Sequence, residues 1–120
     1  MTHQACLRFR EASLATQRAH GGIGHVAAAR VVERSQGPLA FVDQVVVPPG
    51  ASVGRHIHGR DEELYVIVLG EAEATVDGKT HVVGPGDVIH NRPGGTHELR
   101  NLGADEVRMV VIDVRLTEAD

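Results

Sequence analysis

The chain has 120 residues, 12 basic and 16 acidic side chains, a formal charge of −4 and a single cysteine. With no basic run and Lys79 as the sole lysine, the charge balance argues against nucleic acid or an anionic membrane as a partner. No apolar stretch is long enough to span a bilayer and no signal segment opens the chain, so a cytoplasmic location is expected; the length suits one domain with one core, and Cys6 has no partner for an internal disulfide or a thiolate zinc motif.

The first twenty residues mix charge with small side chains and show no firm period. They read as an N-terminal arm, residues 1–20, ahead of a single domain, residues 21–120. From "HGGIG" at His20 the texture changes to short valine-rich runs punctuated by glycine and proline, as expected of strands and turns. Strands are expected near 24–33, 40–47, 52–58, 63–69, 71–77, 79–83, 87–91, 96–101 and 106–114. Asp77-Gly78 supplies the positive φ of a tight hairpin, and "GPGD" at 84–87 marks a second reversal. Short strands at this spacing, with no helical period for a crossover, predict an all-β antiparallel sandwich or small barrel.

Side chains two apart in a strand point the same way, so His56 and His58 share a face. Glu63 is in phase with Tyr65 and Ile67, and His97 with Leu99 and Asn101. Three imidazoles and one carboxylate from three strands can therefore aim at one interior point of a barrel. A cation there would explain why ionisable groups crowd the edge of a buried strand. Glu62 is the rival carboxylate, but its phase is opposite to Tyr65 and directs it outward.

Those residues fall on two spaced motifs, and through them the chain resembles the cupin family. Gly50, His56, His58, Glu63 and Gly70 match the first motif; Gly86, Gly94, His97 and Asn101 match the second, with Arg92 where the motif has proline and the proline displaced to Pro93. The resemblance covers roughly residues 40–115. It implies a double-stranded β-helix or jelly-roll barrel with a short N-terminal arm, and His56, His58, Glu63 and His97 as ligands of one divalent transition metal ion. Such a donor set suits Fe, Mn, Ni, Co, Cu or Zn without choosing among them.

It further implies an enzyme acting on a small polar molecule, by oxygenase-type oxidation or by Lewis-acid isomerisation, cyclisation or dehydration, in some relatives within secondary metabolism. The alternative is a non-catalytic module that binds metal and a small ligand. Candidate pocket residues are His25 (in phase with Ala27, Ala29 and Val31), Gln44 (with Val42 and Val46), Tyr65 and His90; His3, His20 and His81 read as surface residues. The last strand, "EVRMVVIDV", is apolar on both faces, and a homodimer through its outer face is expected.

Overall fold

The computed structural model describes residues 4–33, 35–57 and 59–116. Ten strands follow in chain order: β1 (Ala15–Gln17), β2 (Val26–Val32), β3 (Leu39–Val47), β4 (Ser52–Ile57), β5 (Asp61–Leu69), β6 (Ala72–Val76), β7 (Lys79–Val83), β8 (Val88–Asn91), β9 (Thr96–Arg100) and β10 (Val107–Arg115). All pairings are antiparallel. One sheet runs β1-β2-β3-β10-β5-β8 and the other β4-β9-β6-β7, the antiparallel sandwich expected from the strand spacing and the jelly roll that the resemblance implies. No α-helix is present among the described residues; two short 3-10 turns, Phe9–Glu11 and Ala19–Gly21, precede β2. Strand β1 was not expected: it falls in the arm and pairs Gln17 with Val26.

The core lies between the sheets. Val47, Ile67, Leu99, Val107 and Met109 are almost fully buried there, each contributing about 1.5–3 kcal/mol. Alternation along β5 and β10 is regular: Glu63, Tyr65 and Ile67 face inward from one, and Val107, Met109, Val111 and Asp113 from the other. Asp77 and Gly78, both at positive φ, close the β6–β7 hairpin. Asp77 also accepts from Thr96 N–H at 2.9 Å while its own N–H donates to Thr96 O, so the hairpin fixes where β9 begins.

One irregularity decides the site. Strand β4 pairs Val53 with Leu99 and then His56 with His97, three steps against two. This bulge lies at Gly54 and Arg55, and it lets Val53 and His56, which differ in parity, both face inward.

Candidate metal centre

His56 and His97 are direct cross-strand partners on β4 and β9; Glu63 reaches them from the opposite sheet. One ligand atom from each of the three lies within 4.8 Å of the others, and His97 Nε2 stands 3.5 Å from Glu63 Oε1. That 3.5 Å separation is close to the roughly 3.0–3.4 Å between neighbouring ligands bonded at about 2.1 Å to one ion. The donor chemistry therefore fits a divalent transition ion. His56 Nδ1 donates to Gly54 O at 2.8 Å, a bond that selects the tautomer whose Nε2 carries the lone pair. His58, the fourth expected ligand, lies outside the described residues.

The surroundings of Glu63 are acidic. Asp113 is its partner across β10 and Asn91 its partner across β8, and Asp61 shares its face two residues away. Asp61, Glu63 and Asp113 bring carboxylate oxygens within 4.8 Å of one another. Burial first, then hydrogen bonding and charge from Asp61, then Glu63, push the Asp113 carboxyl up to about 8. Burial, followed by the charge of Glu63, raises the Tyr65 hydroxyl well above its ordinary value, so it remains a donor at neutral pH. Its ring meets His97 edge-on at 5.5 Å.

A cavity of about 150 Å³ adjoins these groups, walled by Val45, Val53, Met109 and Val111 and by polar Gln17, His20, Arg30 and Asp43. Arg30 forms a forked pair with Asp43 at 2.9 and 3.2 Å and lies 3.9 Å above the Phe41 ring. At roughly 30 Å³ per water, the space takes about five waters, or a ligand of similar size.

Tyr65 lines this cavity, but the other three pocket candidates do not. His25 is exposed: β2 presents Val26 inward, which turns His25, Ala27 and Ala29 to the other side. Gln44 is buried on the outer face of β3, where its Nε2 donates to Leu7 O at 3.3 Å under the arm; Phe41, Asp43 and Val45 take the inner face. His90 is exposed on the outer face and its Nε2 pairs with Glu62 Oε2. Glu62 thus points outward, as its phase requires. Arg92 does not disturb the approach to His97: Gly95 N–H donates to Arg92 O at 3.0 Å, closing the turn. Asn101 is structural, its Nδ2 bridging Val47 O and Asp105 O at 2.9 and 2.8 Å.

Sequence reasoning missed His20, Asp61 and Asp113. The two aspartates are in phase with Glu63 and Met109, a signal legible in the alternation; His20 reaches the site through a long-range contact with no local signature.

Comparison with known proteins agrees with this geometry. The model of the cupin domain family (Cupin_2) matches residues 43–113. An oxalate-binding protein of Thermotoga maritima is 31% identical over 98 residues, spanning 80% of this chain and 81% of that protein. The crystal structure of a predicted oxalate decarboxylase from the same organism superposes with a TM-score of 0.88 at 27% identity, over 92% of this chain and 99% of that one. A sugar phosphate isomerase from Silicibacter pomeroyi shares the fold, with a TM-score of 0.67 at 24% identity over 76% of this chain and 60% of that one. No helix among the described residues is long and apolar enough to cross a membrane.

Proposed function

Because the chain belongs to the cupin family, we propose that it holds one divalent transition metal ion on His56, His58, Glu63 and His97 and acts there on a small chelating carboxylate or hydroxy-keto compound. The observation that carries this reading is the meeting of His56, His97 and Glu63 from opposite sheets around one interior point. When bound, such an ion supplies Lewis acidity and, if redox-active, a route for electrons.

The chain's own residues account for the rest. His56, His97 and Glu63 bind and orient; the apolar walls from Val45, Val53, Met109 and Val111 limit water. Tyr65, kept protonated, hydrogen-bonds the Glu63 carboxylate and so orients it. The carboxyl of Asp113, raised toward neutrality, holds a proton beside Glu63. Arg30 at the rim offers a guanidinium to an acidic ligand, tempered by its pairing with Asp43. The cavity, about 150 Å³, suits a ligand of a few carbons.

A second reading, binding without turnover, is favoured by the relative described as an oxalate-binding protein. The two separate in one experiment: metal-loaded protein is titrated calorimetrically with oxalate and other small carboxylates, and each ligand that binds is then incubated with and without oxygen. Product formation supports the enzyme, and its persistence without oxygen removes the oxygenase branch. Binding with every ligand recovered intact supports the carrier reading. Self-association through the outer face of β10 belongs to the same proposal; a monomer by sedimentation at micromolar concentration would contradict it.

A further inference from the structure

His20 lies in the N-terminal segment, yet its ring lies flat on that of His56, centroids 3.5 Å apart and planes 9° from parallel. It also contributes to the wall of the cavity shared with Glu63 and Tyr65. The backbone is arranged to put it there. His20 sits at φ 51° and ψ 39°, a left-handed conformation that a residue with a Cβ adopts only where its surroundings impose it. Those surroundings are two glycines: a Cβ on Gly54 would lie 2.2 Å from His20 O, and one on Gly22 would lie 2.3 Å from Ser52 O. Ile23 N–H donates to Ser52 Oγ at 2.8 Å, and Ser52 N–H to Ile23 O at 2.9 Å. The segment is therefore laid against β4, the strand that carries His56, at the bulge that turns His56 inward.

The ring of His56 is restrained from three directions. Gly54 O holds its Nδ1 edge, His97 meets it edge-on at 4.0 Å, and His20 covers a face. Cover on that face opposes rocking of the imidazole about its bond to the chain, the motion that would carry Nε2 off the common point.

We propose that His20 is a positioning residue of the metal centre, clamping His56 by ring stacking so that its Nε2 stays aimed at Glu63 and His97. The N-terminal segment is then part of the site rather than an appendage. This rests on the reading of His56 as a metal ligand, and the test separates the two.

Metal-free wild type, His20→Phe, His20→Ala and His56→Ala are titrated with cobalt(II) chloride, reading affinity by calorimetry and ligand geometry from the d–d absorption band, with a thermal melt of each metal-free variant. Supporting contacts of ligating histidines typically change affinity 10–100-fold, so His20→Ala is expected to weaken cobalt binding about tenfold and alter the band, while His20→Phe, which keeps a flat ring, returns to within about threefold of wild type. Wild-type affinity and band in His20→Ala overturn the clamp; if His56→Ala has meanwhile lost cobalt, the ligand assignment stands. Equal loss in His20→Phe and His20→Ala, with melts unchanged, would mean that an imidazole nitrogen is required, and stacking is overturned. Failure of the wild type to bind cobalt overturns both readings.

Discussion

Asn91 offers a stringent test of how the barrel interior is built. It is 1% exposed on β8, opposite Glu63, and neither its Nδ2 nor its Oδ1 has a hydrogen-bond partner among the described residues. Mutational data put the cost of burying such a group without partners at about 1–3 kcal/mol, and leucine has a similar volume with nothing left to satisfy. Asn91→Leu should therefore stabilise the metal-free protein by about that amount. Over 120 residues, an unfolding entropy of about 2.1 cal/mol/K per residue gives roughly 0.25 kcal/mol per kelvin, so the midpoint rises by about 4–12 °C. The assay is thermal unfolding with a chelator present, followed by far-ultraviolet circular dichroism and repeated as a urea titration. A midpoint that stays put or falls would refute the reasoning, because the amide would then be satisfied in solution.

Two further perturbations follow from the same interior. Asp113 has its carboxyl raised from an ordinary 3.8 to about 8, so the folded chain binds its proton more tightly than the unfolded one; the metal-free protein should be most stable below about pH 4 on this account and lose that contribution as pH rises through about 8. Asp113→Asn should flatten the profile between pH 5 and 8 in denaturant titrations, and an unchanged slope would show that Asp113 is not responsible. Gly54→Ala places a methyl 2.2 Å from His20 O; overpacking of this kind costs about 1–3 kcal/mol. Its melting midpoint should drop, whereas Gly59→Ala, where a Cβ meets open space, should leave the midpoint nearly unchanged; equal midpoints would refute the close docking of the N-terminal segment.

Much of this fold is legible in the sequence because antiparallel strands and their turns are local features. Asp77-Gly78 announces its hairpin, and alternation along β5 fixes Glu63 inward and Glu62 outward without reference to any other strand. Phase fails where both faces of a strand are apolar or small. The run Val42 to Val47 is interrupted only by Asp43 and Gln44, and β3 is covered on one side by the core and on the other by the arm, so parity has nothing to discriminate and Gln44 is misplaced by one residue. The same holds for "VAAARVV" in β2, which hides the outward turn of His25. The bulge at Gly54 depends on pairing with β9, and the stacking of His20 on His56 spans 36 positions along the chain. Neither has a local signal. His90 lies close to the second motif, but its alternation with inward Ile89 and Asn91 places it outside.

The measurement that bears most directly on the centre itself is the metal content of the protein, by elemental analysis, after purification without added metal and again after incubation with divalent ions and exhaustive dialysis at neutral pH. About one transition ion per wild-type chain is expected, falling to a small fraction in His97→Ala, whose removed imidazole is one of two among the described residues that face Glu63; the expectation follows from the need for several converging donors. A wild-type chain that remains metal-free after loading, or a His97→Ala chain that keeps full occupancy, would contradict the assignment.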